Sequence, residues 1–222
     1  VVFIVAVFGL TRISYNASVM EDLRPGNSLY DDLKIVEKTL GGTFPLEIIV
    51  NTSIKNASLD PDILKKMQTY KNEILQIPEI NTAITAGDYL MLINEELGSG
   101  ERELPATVEE ALSFVYDYER IQMYLNDDYS KSRISCRIPD TQYEEAMLIR
   151  DEILQKGYKI FGNNVDIKVT GSTLLALSTN RHLVKNLTFS FIIAFIIIFL
   201  SMVLLFRSFQ LALISILPNI IP

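Results

Sequence analysis

The polar part of the chain contains two kinds of hydrophobic pattern, and each predicts a different secondary structure. Residues 29–40 place apolar side chains at helical spacing, with Ser28 as the predicted N-cap and Gly41 as the stop. Residues 44–52 are rich in β-forming residues and predict a strand. The polar region therefore begins with a helix that leads into a strand.

A second helix and a short strand follow. Asp60 is predicted to cap this helix, and Pro61 is predicted to occupy its first position, where a missing N–H costs no hydrogen bond. Pro78 predicts the end of the helical stretch, because proline cannot continue the backbone hydrogen bonding. Residues 79–85 then predict a short second strand.

The next stretch predicts helices rather than strands. Residues 86–97 return to a helical pattern, and a glycine-containing loop follows them. Thr107 and Glu110 have the spacing of a capping box, which predicts a helix that runs to about Leu125. We expect these helices to form an insertion at about residues 86–128.

Residues 131–138 alternate between apolar and polar side chains, which predicts a half-buried strand. Ile134, Cys136 and Ile138 lie on one face of that strand. Cys136 is the only cysteine, so no intramolecular disulfide can form. Its place among apolar neighbours predicts a small core residue rather than a reactive thiol.

One more helix and one more strand complete the polar region. Asp140 or Thr141 is predicted to cap the helix, and Gly157 lies near its end. Residues 165–169 alternate again and predict the last strand. The predicted apolar stripe of the helix consists of Ala146, Ile149, Ile153 and Leu154.

The order of these elements predicts the fold class. Without the insertion, the order is strand, helix, strand, strand, helix, strand, which is the ferredoxin-like or split βαβ unit. We therefore expect an α+β domain in which two helices cover one face of a four-stranded antiparallel sheet.

Apolar segments lie on both sides of the polar region. Residues 187–206 carry no charge, and a helix of that length spans about 30 Å, the thickness of a bilayer's hydrocarbon core. A buried core helix is the alternative. Residues 1–11 predict the end of a transmembrane helix, and residues 207–222 predict the start of the next one. A connector at 12–43 and a helical linker at 172–186 join these segments to the domain.

Charge and residue types exclude several functions. Residues 13–186 contain 18 Lys and Arg against 27 Asp and Glu, a net charge of −9, which disfavours nucleic acid. No catalytic, cofactor-binding or metal-binding pattern is found, and His182 is the only histidine. We therefore expect no enzyme and no cofactor. Residues 187–206 also lack the ionisable groups that a proton relay needs.

Motifs near both ends of the chain resemble those of a known family. The motifs, in chain order, are Gly41-Gly42, Pro45-Leu46-Glu47, Thr170-Gly171, Phe206-Arg207-Ser208 and Pro218-Asn219-Ile220-Ile221-Pro222. In this order and spacing, the chain resembles the resistance–nodulation–division (RND) superfamily, in its MMPL-type branch of hydrophobe and lipid exporters.

The resemblance implies a function and a location. Residues 44–171 would form an extracytoplasmic porter domain of an integral membrane protein that exports hydrophobic or lipid-like molecules by proton-driven transport. The implied partners are the lipid bilayer, the substrate, and the rest of a longer transporter chain with its second porter domain. Family proton-relay residues lie in later helices, so the resemblance assigns none to this chain.

Two other functions stay open from the sequence. A protein-translocation accessory subunit of the Sec type belongs to the same superfamily. A sensor or receptor ectodomain tethered by two helices is of another class, and it should continue into a charged signalling domain. The chain instead enters another apolar segment soon after Arg207, which favours a polytopic transporter.

Overall fold

A computed structural model describes residues 26–98, 100–163 and 165–220, with side chains up to residue 215. The described residues form two compact units, 26–177 and 178–220. The predicted transmembrane helix end at 1–11 lies outside the described residues, as does the part of the connector before residue 26.

The first unit is an α+β domain built on one antiparallel sheet. Its strands lie in the order β2-β3-β1-β4, so β1 and β3 are central. The chain connects β1 to β2 and β3 to β4 through helices, and in each case another strand lies between the two connected strands. The strands are β1 Phe44–Asn51, β2 Thr82–Ile84, β3 Lys131–Ile138 and β4 Asp166–Thr170.

The helices of this unit follow the predicted order. A short 3-10 turn at Ala57–Leu59 precedes the second helix. The predicted helix over residues 86–97 is confirmed with the same bounds. The helices are α1 Ser28–Leu40, α2 Pro61–Ile74, α3 Ala86–Leu97, α4 Val108–Asp117, α5 Glu119–Gln122 and α6 Tyr143–Phe161.

Two predicted caps are confirmed and two are wrong. Asp60 Oδ1 accepts from the N–H of Asp62 at 2.9 Å, and Thr107 Oγ1 accepts from the N–H of Glu110 at 3.2 Å. Helix α1, however, begins one residue earlier than expected, so Asn27 rather than Ser28 is its cap. The Asn27 side chain is close enough to accept from the N–H of Leu29, at 3.1 Å, while Ser28 already has helical backbone.

The cap of α6 also differs from the prediction. Gln142 occupies the N-cap position, and neither Asp140 nor Thr141 does. Thr141 Oγ1 instead donates to Glu145 Oε2 at 2.5 Å, so its hydroxyl is engaged by a side chain of the first turn. Three polar residues, 140–142, precede this helix, and the helical backbone begins only after the last of them, Gln142.

The helix predicted from Thr107 to about Leu125 is broken. Helix α4 ends at Asp117, Tyr118 has extended backbone, and the short α5 follows. Gln122 Nε2 donates to the carbonyl of Val115 at 3.2 Å and so supplies a donor to the end of α4. The break directs Ile121 into the interior of the unit.

The first core lies between the sheet and the helices α2 and α6. The predicted alternation in β3 is confirmed, because Ile134, Cys136 and Ile138 are all buried. Cys136 is only 1% exposed, and burial raises the pKa of its thiol to about 12. This thiol is therefore a protonated core side chain at neutral pH. The β1 residues in the same core are Leu46, Ile48 and Val50.

Helices α2 and α6 approach each other closely at Gly157. Tyr70 is fully buried on α2, and its hydroxyl donates to the carbonyl of Ile153 on α6 at 2.9 Å. A Cβ atom at Gly157 would lie 2.7 Å from the Tyr70 hydroxyl oxygen and 2.6 Å from Ile167 Cδ1. Only glycine leaves room for both side chains.

A second core belongs to the insertion. Ile84 and Tyr124 belong to it, and both point from the sheet edge toward the face opposite the first core. The insertion therefore stands beside the β2 and β3 edge. Tyr124 reaches the opposite face, while α3 also contacts α2, where Gln68 Nε2 donates to Asp88 Oδ1 at 3.2 Å. The second core also includes residues that precede the insertion. Its buried members include Leu59 and Leu64 from before the insertion, and Leu90, Ala111, Val115 and Ile121 from within it.

We predict that Gly157→Ala destabilises the protein by about 1–3 kcal/mol, because the added methyl group overpacks the contact between Tyr70 and Ile167. The gain in helix propensity, about 1 kcal/mol, offsets part of this loss. Urea unfolding in detergent, followed by tyrosine fluorescence, measures the change. Gln155→Ala, at an exposed position of the same helix, is the control and should change stability by less than about 0.5 kcal/mol. Equal stability of the two variants would contradict the close packing.

Candidate functional site

The longest helix among the described residues, α7, is apolar over most of its length. It runs from Ser172 to Phe206 as one helix of 35 residues. The predicted helical linker at 172–186 is therefore continuous with the apolar segment at 187–206. By length and composition, α7 could cross a membrane, and none of its most apolar 18-residue window is buried.

The start of α7 is fixed to the sheet. The Thr173 hydroxyl donates to the carbonyl of Pro45, in β1, at 2.7 Å. Leu174 and Leu177 pack into the first core. Gly171 connects β4 to the helix with a φ of +128°, and a Cβ there would lie 3.0 Å from the Pro45 carbonyl oxygen. The helix thus originates inside the domain.

Helix α7 ends at the Phe206-Arg207-Ser208 motif. Arg207 has left-handed backbone with a φ of +48°, which stops the helix. The next helix, α8, runs over Phe209–Ile220, and the carbonyl of Ser208 accepts its first turn's hydrogen bond from Ala212 at 3.2 Å. The rings of Phe199 and Phe209 pack edge to face, with centroids 5.2 Å apart.

One face of the sheet carries polar side chains, and we name it the open face. It consists of the residues of β1, β3 and β4 that alternate with those of the first core. The insertion flanks it along the β2 and β3 edge, and helices α2 and α6 lie on the other face of the sheet, against the first core. The open face contains Pro45, Glu47, Ile49, Asn51, Lys131, Arg133, Ser135, Arg137, Asp166, Lys168 and Thr170.

A cluster centred on Arg133 lies where the open face meets the insertion. Arg133 Nε lies 3.5 Å from Glu47 Oε2, and the guanidinium carbon lies 5.4 Å from the centroid of the Tyr124 ring. The Ser135 hydroxyl donates to the other Glu47 carboxylate oxygen at 3.0 Å. The ring of Tyr89 packs on Tyr124, with centroids 5.4 Å apart. We name these five residues the Arg133 cluster.

Burial and neighbouring groups set the protonation state of the Arg133 cluster. Burial and a hydrogen bond with Tyr89 raise the pKa of Tyr124 to about 12, the nearby Glu47 charge adds to the rise, and Arg133 opposes it. The phenol therefore stays protonated at neutral pH. The side chains of Arg133 and Glu47 are 40% and 22% exposed, so the ion pair is partly desolvated yet reachable from solvent.

A second polar surface lies in a groove between α2 and α6. Lys156 lies 3.3 Å from the Glu73 carboxylate and 3.8 Å from that of Glu152, so the central cation of the groove is already paired. Lys159 and Asp151 also line it. Three carboxylates and two lysines line the groove, a net charge of −1, so it has no pronounced preference for a ligand of either sign.

The sequence predicted no site residue, and the Arg133 cluster is a feature that the pattern did not reveal. The polar side of β3 was visible, since Arg133, Ser135 and Arg137 alternate with the core residues. Glu47 was visible as one acidic residue in an apolar strand. Their proximity depends on the pairing of β1 with β3. His182 is exposed on α7, and across the described residues no group of three or more His, Cys, Asp or Glu is placed to hold a metal ion.

No protein-family model and no curated protein matches the sequence.

We predict that Arg133→Met destabilises the domain by about 1–2 kcal/mol, because Glu47 loses its partner in a partly desolvated place. The double variant Arg133→Met with Glu47→Gln should recover part of this loss, since no unpaired charge remains. Urea unfolding of the purified chain measures both. Lys168→Met, whose side chain is 71% exposed, is the matched control and should change little. If the double variant were less stable than Arg133→Met, the unpaired Glu47 carboxylate would not be the cause of the destabilisation.

Proposed function

We propose that this chain supplies the porter domain and a membrane span of an RND-type transporter of the MMPL branch, which exports hydrophobic or lipid-like molecules by proton-driven transport. The observation that carries the proposal is α7, which starts in the core of the domain and continues without a break into an exposed apolar segment. The resemblance of the Thr170-Gly171 and Phe206-Arg207-Ser208 motifs supports the same reading.

The fold proposed for the domain is ferredoxin-like. Counted from the β4 edge, the strand order β2-β3-β1-β4 is 4-1-3-2. Each helical connection skips one strand, which is the arrangement of a split βαβ unit. The helices α2 and α6 both pack against the first core, on one face of the sheet. These features support the assignment, with the insertion added at the β2 and β3 edge.

The proposed location is an integral membrane protein whose domain is extracytoplasmic. Residues 187–206 would cross the hydrocarbon core, because a chain of exposed apolar side chains is stable there and costly in water. Basic residues do not decide the orientation, since Arg12, Arg181 and Lys185 lie on the domain side and Arg207 on the other. The extracytoplasmic assignment therefore rests on the resemblance.

In the proposed mechanism, α7 works as a mechanical connector. Porter domains would rock against each other as substrate passes between them, while proton-driven motions occur elsewhere in the transporter. Thr173 ties the helix to β1, and a continuous helix of 35 residues is about 50 Å long and transmits displacement along its axis. The uncharged segment 187–206 offers no site for a proton, so its contribution would be mechanical.

The membrane location is tested by cysteine labelling. In a Cys136→Ala background the 222 residues contain no cysteine, and Ser113→Cys or Gln210→Cys then adds one exposed thiol in the domain or after α7. We expect the protein to stay in the membrane fraction after alkaline washing. In sealed right-side-out vesicles, a membrane-impermeant maleimide should label Ser113→Cys at once and Gln210→Cys only after permeabilisation. The reverse pattern would place the domain in the cytoplasm, and equal labelling would rule out a span between the two positions.

The transport role is tested by interrupting α7. Thr179→Pro removes one helical hydrogen bond at an exposed position and costs the helix about 3 kcal/mol locally. In cells that express the full transporter, efflux of the lipophilic dye Nile red should fall to the level of the deletion strain, while membrane insertion is unchanged.

Thr179→Ala is the control and should keep normal efflux, and a protonophore should abolish the efflux of the wild type. Normal efflux by Thr179→Pro would overturn the connector role. If wild-type and deletion strains exported the dye equally and the deletion strain instead accumulated unsecreted proteins, the Sec-type function would replace the transporter.

A further inference from the structure

The net charge of the polar region is concentrated in the insertion. Residues 86–128 contain eleven Asp and Glu and two Lys and Arg, a net charge of −9. The rest of residues 13–186 contains sixteen of each sign and is therefore neutral overall. Most of these carboxylates are exposed. Such separation of charge within one domain creates a directed electrostatic field at its surface.

The open face has the opposite sign. It carries four cations against the carboxylates of Glu47 and Asp166. Glu47 pairs with Arg133, and Asp166 lies 3.4 Å from Lys168. Lys131 and Arg137 are exposed and have no ion-pair partner among the residues that the structure describes. The basic open face thus lies beside the acidic insertion on the same unit.

Apolar side chains accompany the charges on both surfaces. Ile49 is half-buried and Pro45 is exposed on the open face. On the insertion, Tyr116 is 77% exposed and Met123 is 56% exposed. Tyrosine and methionine are enriched in the centres of protein interfaces, where charged residues form the rim. The two surfaces therefore match in apolar character as well as in charge.

We propose that the open face of one copy of this chain docks the acidic insertion of a second copy. The open face and the insertion lie side by side on one unit. A two-fold arrangement therefore lets each insertion cover the open face of the other copy, so that the contact forms twice. Opposite charges steer the approach of the open face to the insertion. The negative charges of two insertions repel each other, which disfavours a contact between insertions. This contact does not depend on the proposed transport function.

Self-association of the purified chain in detergent tests the proposal. Sedimentation equilibrium should detect a dimer that weakens as ionic strength rises from about 0.02 M to about 0.5 M, over which the screening length becomes shorter than the separation of rim charges. The face-reversed variant, Arg137→Glu with Lys168→Glu, should dimerise at least about tenfold more weakly. Lys65→Glu with Lys66→Glu, on exposed positions of α2, makes the same charge change and should leave the dimer unaltered.

A second pair of substitutions identifies the surface that the open face contacts. Glu109→Gln with Asp117→Asn removes two charges of the insertion, at exposed positions. In the wild type this change should weaken the dimer, and in the face-reversed variant it should strengthen it, because it relieves repulsion instead of removing attraction. An effect of the same sign in both backgrounds would overturn the pairing of face with insertion.

Cross-linking adds a positional readout. In the Cys136→Ala background, a copy with Lys168→Cys and a copy with Glu119→Cys should be joined by a bifunctional maleimide of about 10 Å, a reach comparable with the range of unscreened charge interactions. Lys66→Cys should not be joined to Glu119→Cys. A monomer at all concentrations, a dimer indifferent to the face reversal, or equal cross-linking of Lys66→Cys would each refute the proposal.

Discussion

The register of β1 against β3 is the constraint on which the rest of the structure depends. Ile48 lies opposite Ile134, and Glu47 lies opposite Ser135. Because side chains alternate with a period of two, a slip of β1 by one residue would send Glu47 into the first core and expose Ile48. The same slip of β3 would send Arg133 into the core and expose Ile134. The cost of burying those charges, together with the loss of apolar burial, fixes this register. The same pairing creates the Arg133 cluster, since it brings a cation of β3 beside the single carboxylate of β1.

The register of β1 also determines how α7 leaves the domain. β4 pairs with the other edge of β1, and the chain after Thr170 turns through Gly171 directly beside Pro45. The Pro45 carbonyl accepts from Thr173, so the first turn of the helix is bonded to the central strand. A side chain at Gly171 would meet that carbonyl and would also strain the left-handed backbone. The apolar helix is therefore anchored to the sheet by a side-chain hydrogen bond, and the proposed connector role depends on this junction.

The parts of the fold that sequence patterns predicted are those governed by local periodicity. Residues 133–138 alternate between polar and apolar side chains, and the strand over 131–138 has the predicted bounds. The break at Tyr118 could not be predicted, because residues 107–125 keep a helical pattern. In the folded domain, the break is accompanied by the burial of Ile121 and by the hydrogen bond from Gln122 to the carbonyl of Val115. Caps were wrong where several polar residues precede a helix, as at Asn27. The Arg133 cluster could not be predicted either, since Glu47 and Arg133 are far apart in sequence and meet only through strand pairing.

The Arg133 cluster also limits how the open face can bind anything. Arg133 already contacts Glu47 and stacks on Tyr124, and withdrawing it would leave a partly desolvated carboxylate unpaired. Arg133 therefore links the insertion to the sheet, so that the acidic insertion stays beside the basic open face. A docking partner must use cations that the domain does not need, and Lys131 and Arg137 are exposed on the same face. On the open face, Arg133 thus contributes to stability, whereas Lys131 and Arg137 are available for docking. Their charges can therefore be altered while the fold remains intact.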